Sequence, residues 1–328
     1  MTERDVREVL VVGLGTIART HLAVLGRRHG VRVAAGVDPE VPGGHPFPVF
    51  GDLTEALRRS PRPDLVVVAT PTETHPRIVR EVLAATDALV LSEKPLARSH
   101  AHITELEEAV PDVRERVRVA HHFAFSPEVE WARRTAAAHP HWGRPGRVLS
   151  VFNDAYGRLP AERLASYVST WVDSGPNQLS LLGAFVDGWR LVAHEDQGHR
   201  AVTTLEHGDG TGVLTSNWLA ADTSKQTTVD YADGAVQVRM DHTSMTGLVI
   251  ENGRVVEHMG YVGDLGRKEA HYQGLYDVLL ADDCDPRLGV PLATEIARLL
   301  EAGERASAGD AVRWSEVPGA ERRAITGA

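Results

Sequence analysis

A chain of 328 residues exceeds what one hydrophobic core usually serves, so two domains are expected. Hydrophobic residues make up 42 % and charged residues 24 %, an ordinary globular balance, and the formal net charge of −10 excludes a broad nucleic-acid surface, which needs clustered Lys and Arg. Cys284 is the single cysteine, the start Met1-Thr2-Glu3-Arg4-Asp5 is charged, and no apolar run approaches the ~18 residues that cross a bilayer. A cytoplasmic protein without disulfide, signal peptide or membrane partner is the expectation.

From Glu8 to about His121, short Val-rich runs alternate with helix-like stretches. The runs cover residues 9–12, 31–37, 65–69, 88–91 and 117–120, apolar throughout as strands buried on both faces of a parallel sheet are. Asp52 with Glu55 forms a candidate capping box, and Thr72 precedes a first turn that accepts Pro76. This alternation predicts a doubly wound parallel sheet. Ser126-Pro127 then reads as the N-cap and first position of a helix running toward Ala138. A strand at 147–152 follows, then runs at 201–206, 212–219, 226–231 and 235–240, the last two joined by the hairpin signal Asp233-Gly234. They predict a mostly antiparallel open sheet, followed by helices near 264–281 and 290–302. The expected architecture is α/β: a dinucleotide-type domain over 1–123 and an α+β domain for substrate binding and self-association over 124–328.

The turn Gly13-Leu14-Gly15-Thr16-Ile17-Ala18 directly follows the first run and opens a helix. Gly13 permits the tight turn, Gly15 lets backbone approach a pyrophosphate, and Ala18 is small enough for close helix–strand packing. The helix N-terminus at Thr16 and Ile17 offers N–H groups and a positive dipole end to phosphates. This is the pattern of a Rossmann dinucleotide site. Asp38 ends the second run, where a carboxylate accepts hydrogen bonds from the adenosine ribose and repels a 2′-phosphate; Pro39 and Glu40 add no positive charge. NAD is therefore favoured over NADP, the plainer alternative being a solvated turn aspartate.

Ser92-Glu93-Lys94-Pro95 lies at the carboxyl edge of the expected sheet, where open α/β sheets place ligands. With Ala69-Thr70-Pro71, His75, Phe125-Ser126-Pro127 and Asp173-Ser174-Gly175-Pro176, the chain resembles the Gfo/Idh/MocA oxidoreductase family along nearly its whole length. The resemblance implies that Ala69, Thr70, Pro71, His75 and Glu93 border the cofactor. It also implies that Lys94 sits between nicotinamide and substrate as the central catalytic group. Such a lysine can pass a proton or polarise a carbonyl or alkoxide as hydride moves.

The family's second catalytic segment is Asp-x-Gly-x-His; the register here gives Asp173, Gly175 and Asn177. Residues i and i+4 share a helix face, and Pro176 limits that helix to a start a few residues earlier. Asparagine hydrogen-bonds but cannot transfer a proton, so acid–base work falls to Lys94, to Tyr156 or Tyr167, or to water. Where family members carry Asn-x-Arg-Phe, this chain has His122-Phe123-Ala124-Phe125, and His122 is placed to contact substrate or nicotinamide.

Trp171 is either a pocket wall or core packing, and Tyr156 and Arg158 either recognise a hydroxylated or anionic substrate or belong to a solvated loop. Asn217-Trp218-Leu219 with Lys225 resembles a strand of the family's sugar-nucleotide dehydrogenases. The sixteen histidines include no zinc-like spacing, so no metal is expected. The expected activity is NAD-dependent hydride transfer on a sugar, nucleotide-sugar or cyclitol-like small molecule by a homodimer or homotetramer. The rivals are elimination or glycoside hydrolysis through transient oxidation, and a non-catalytic dinucleotide-binding regulator.

Overall fold

The computed structural model describes residues 6–41, 43–160, 167–281 and 284–307. Its first sheet contains β1 (Arg7–Val12), β2 (Val31–Val37), β3 (Val49–Phe50), β4 (Leu65–Val68), β5 (Leu89–Glu93) and β6 (Val117–Ala120). All pairs are parallel, in the order β3-β2-β1-β4-β5-β6. Helices α1 (Thr16–Leu25), α2 (Leu53–Arg59), α3 (His75–Ala85), α4 (His100–Ala109) and α5 (Val113–Arg116) connect them. Alternate residues of β1 feed opposite cores: Val9 and Val11 pack with Ala18 of α1, while Leu10 and Val12 pack with Ile78 of α3. The expected capping box is present in part, Asp52 Oδ1 accepting the Glu55 N–H at 2.9 Å.

After α6 (Pro127–Ala138) the second sheet runs β7 (Arg147–Asn153), β8 (Arg190–Asp196), β9 (Arg200–His207), β10 (Gly210–Asn217), β11 (Ser224–Tyr231), β12 (Val236–Asp241), β13 (Thr246–Glu251) and β14 (Arg254–Gly260). Its order is β14-β13-β12-β11-β7-β10-β9-β8, antiparallel except between β7 and β10. Helices α6 and α7 (Thr170–Gly183) pack against this sheet. The α/β architecture expected from the sequence is therefore observed, including the antiparallel pairing of β11 with β12 around Asp233-Gly234.

Two C-terminal helices tie the parts together. Helix α8 (Arg267–Leu280) lies against α1, and α9 (Val290–Ser307) contributes Val290, Ala293 and Ala297 to the core beside α3 and Ile296, Leu299 and Leu300 to the core of Trp171 and Leu179. Strands β3, β8, β13 and β14 were not expected. β3, β8 and β14 are edge strands, and β14 is exposed along most of its length, so no inward–outward alternation marks it. Ser126 precedes α6 but does not cap it: its hydroxyl instead donates to buried Glu128 Oε1 at 2.6 Å. Among the described residues, no helix is long and apolar enough to cross a membrane.

Candidate active site

At the end of β1 the chain turns at Gly13 with φ +87°, and a Cβ there would lie 2.7 Å from the Ala69 carbonyl oxygen. Both the backbone conformation and the close approach of β4 demand glycine. Gly15 precedes α1, and a Cβ on it would meet nothing within 4 Å; the backbone at this uncapped helix N-terminus faces open space. Asp38 braces the turn, Oδ2 accepting the Leu14 N–H at 2.9 Å and Oδ1 the Glu40 N–H at 3.0 Å. A cavity of about 350 Å³ is bounded here by Gly13, Gly15, Asp38, Asp52, Ala69 and the Arg77–Glu81 pair. Bare backbone at a helix N-terminus beside an acceptor-rich wall fits the phosphates and ribose of a dinucleotide.

Thr70 and Pro71 border this cavity and a second one of about 380 Å³, which also takes in Ile17, His75, Glu93 and Lys94. From the second sheet's side, α7 presents Asp173 and Asn177 to it, as their i, i+4 spacing requires. Ser169 caps α7 by accepting the Val172 N–H at 3.3 Å, so the helix starts at Thr170 and Pro176 lies inside it, further in than the sequence suggested. Gly175 serves packing: a Cβ would lie 2.9 Å from both Leu300 and Trp171. Lys94 Nζ donates to the backbone carbonyl of Asp173 at 3.4 Å. Burial raises the Asp173 carboxyl, the charges of Lys94 and Lys225 opposing the rise only in part.

The remaining wall comes from β11, α8, the loop past β7 and the turn after β6. Lys225 Nζ pairs with Asp154 Oδ2 at 2.6 Å and lies 4.5 Å from the Phe152 ring centroid. Burial lowers the lysine, partly offset by Asp154. Tyr156 stacks on Tyr167 at 5.2 Å, and burial, then the Asp173 charge, raises its phenol, so it is a hydrogen-bond donor at neutral pH. Arg267, Lys268, His271 and Tyr272 line the cavity from α8. His122 Nδ1 is 3.3 Å from His271 Nδ1, and its ring stacks on Tyr272 at 4.8 Å. Burial, with the neighbouring cations, holds both imidazoles neutral, His271 being pushed down to about 3.

Glu93 and His75 line the cavity but are tied up within the protein, whereas Trp171, Arg158 and Thr16 do not border it. The Glu93 carboxylate is occupied within the protein: it accepts from Tyr272 Oη, lies 3.0 Å from His21 Nε2, and its second oxygen takes the Lys94 N–H at 3.2 Å. Burial alone would raise it, but His21, Tyr272 and Lys94 together hold it below the usual carboxylate range. His75 lines the cavity with both ring nitrogens on backbone carbonyls, of Thr70 at 2.8 Å and Pro95 at 2.9 Å, so it pins two strand-end loops together. Trp171 does not wall the pocket: it is core, its Nε1 donating to the Leu300 carbonyl at 3.0 Å. Two positions before Asp173 on a helix is roughly 200° around the axis, which turns it away. Arg158 and Thr16 are exposed and border neither cavity. Asp154, Arg267, Lys268, His271 and Tyr272 were missed as site residues, although Arg267-Lys268 at a helix start, where cations are unfavourable, was a signal.

Residues 7–121 match the Gfo/Idh/MocA model, described as an oxidoreductase family with an NAD-binding Rossmann fold. No curated protein sequence matches the chain. Among solved structures, an NAD binding oxidoreductase from Klebsiella pneumoniae is similar at 18 % identity and TM-score 0.79, over 93 % of this chain and 98 % of that one. A myo-inositol dehydrogenase from Corynebacterium glutamicum is 15 % identical over 93 % and 97 %, TM-score 0.76. The WlbA dehydrogenase from Bordetella pertussis, solved with NADH and UDP-GlcNAcA, is 18 % identical over 94 % and 97 %, TM-score 0.72. At these identities the likeness is one of fold.

Proposed function

Taking residues 7–121 as the NAD-binding domain of the Gfo/Idh/MocA oxidoreductase family, we propose that this chain is an NAD-dependent oxidoreductase acting on a carbon–oxygen centre of a sugar-type substrate. The observation that carries this reading is the meeting of the two cavities at Thr70 and Pro71: the glycine turn opens on one and Lys94, Asp173 and Asn177 on the other. A dinucleotide would be held by Gly13, Gly15 and Asp38, with Ile17, Thr70 and Pro71 at the junction. When bound, it supplies or accepts hydride at its nicotinamide ring. Asp38 and Asp52 with an already paired Arg77 favour free ribose hydroxyls, hence NAD over NADP.

Lys94 Nζ is the group that donates a proton to a carbonyl oxygen in the reducing direction and receives it in the oxidising one. The Asp173 carbonyl orients it. Asn177, at the position where the family resemblance implies histidine, holds a hydroxyl and moves no proton, while the protonated Tyr156 donates a second hydrogen bond. The stacked Tyr156 and Tyr167 faces suit the C–H face of a sugar ring, in keeping with the UDP-GlcNAcA seen in the WlbA structure. The outer face of the second sheet exposes Val151 and Leu248, which supports a second copy of the chain as its cover, read out by the solution mass.

The test is Lys94→Ala. NADH binding, followed by nicotinamide fluorescence, should stay within about twofold, whereas turnover on a panel of nucleotide sugars and sugars should fall at least about a thousandfold. Unchanged turnover removes Lys94 from the chemistry, and absence of NADH binding by the unaltered protein removes the oxidoreductase reading.

A further inference from the structure

The charges around the Lys94 cavity are unevenly paired. Lys225 is neutralised by Asp154, the Glu93 carboxylate is taken up by His21 and Tyr272, and Asp173 shares the fields of Lys94 and Lys225. Arg267 and Lys268 remain: adjacent, lining the cavity, and without a hydrogen-bond or ion-pair partner among the described residues. Their position opposes the preference of α8 itself, because a helix N-terminus is the positive end of the dipole. One turn along the same face, His271 lines the same cavity, 1 % exposed, with an Nε2 that has no partner among the described residues. The field of the two cations reaches inward, adding to burial in keeping His122 and His271 neutral. In a chain of net charge −10 this is a local reversal of sign.

Resting on the oxidoreductase reading of this cavity, we propose that the substrate carries a phosphoryl group, bound at the outer edge of the cavity by Arg267 and Lys268. A phosphoryl group brings up to about two negative charges, matching the two cations, and its oxygens accept the guanidinium fork in pairs. A neutral sugar or cyclitol leaves both cations unpaired. The cofactor's own diphosphate has a separate cradle, because Gly13 and Gly15 border the other cavity and Arg267 and Lys268 only this one.

The test uses inorganic diphosphate as the probe, titrated calorimetrically at low ionic strength into the NADH-saturated protein and into the variant R267Q/K268Q. Circular dichroism checks that the variant is folded, and single variants replace it if it is not. The expected result is binding that weakens as salt rises and falls about tenfold or more in the variant, with NADH affinity within twofold. Three results overturn the proposal: no diphosphate binding by the NADH-saturated protein, equal binding by the variant, or a parallel loss of NADH affinity, which would assign the cations to the cofactor. If NADH does not bind the unaltered protein, the oxidoreductase reading fails separately, and the difference between the two proteins in diphosphate binding still decides this one.

Discussion

Lys225 Nζ lies 2.6 Å from Asp154 Oδ2, with only 8 % and 6 % of the two side chains exposed, so each charge depends on the other for its place at the cavity wall. Removing one partner strands the other in a poorly solvated site beside Phe152. Asp154→Ala should therefore cost about 3–5 kcal/mol in urea unfolding, while the double replacement D154L/K225M should recover most of it. A cost below about 1 kcal/mol for the single variant would mean that water serves the lysine.

Glu93 joins α1 to α8, since His21 and Tyr272 both bind its carboxylate and His21 Nδ1 lies 2.7 Å from Tyr276 Oη. Tyr272→Phe removes one donor to a buried carboxylate and should cost about 1–3 kcal/mol. The Glu93 carboxyl is held below its ordinary value, so the stability it contributes is full above the usual carboxylate range and is lost as pH falls through the lowered value. Unfolding midpoints at pH 7 and pH 4 should converge on one another in Glu93→Gln relative to the unaltered chain. An identical pH dependence in both would place the acid sensitivity elsewhere.

Local signals were legible wherever one short segment carried the whole constraint. The glycine turn needed only Gly13, Gly15 and the flanking strand, and the Asp173–Asn177 pairing needed only helical periodicity. That same periodicity would have turned Trp171 away from the pocket, and strict alternation along β11 puts Lys225 on the inward face with Thr227 and Val229. What the chain did not disclose was contact between distant segments. Arg267 and His271 meet Lys94 only because α8 folds back on α1, and nothing local to either segment encodes that return. Glu93 illustrates the difference: its motif marked the place, but its partners His21 and Tyr272 lie far off in sequence on either side.

Asp38 both braces the glycine turn and faces the cavity where the ribose would lie. In Asp38→Ser the loss of the Leu14 brace should weaken both NADH and NADPH, while the loss of negative charge should weaken NADH more. The ratio of the two dissociation constants is therefore the informative quantity, and it should shift toward NADPH by about tenfold. A ratio unchanged by the replacement would leave Asp38 with the turn alone, as the solvated-aspartate alternative holds.

His121 is 1 % exposed, and neither ring nitrogen has a hydrogen-bond partner among the described residues. Burial, then the nearby Lys94 charge, pushes it down to about 3, only partly opposed by Glu93. The folded state thus refuses a proton that the unfolded chain accepts below its ordinary value of about 6.5. The stabilising contribution is complete above that pH and is lost progressively as pH falls from about 6.5 toward 3, by as much as about 1.4 kcal/mol per pH unit. His271, also pushed down to about 3, acts in the same direction. In His121→Leu one of these proton sinks disappears and an unpartnered buried polar ring is replaced by a hydrocarbon, so the variant should be at least as stable at pH 7.5. Urea unfolding at pH 7.5 and pH 5 should then show a smaller drop for the variant, the difference approaching about 2 kcal/mol. Equal drops in the two proteins would mean that His121 finds a partner, or a proton, in the folded state.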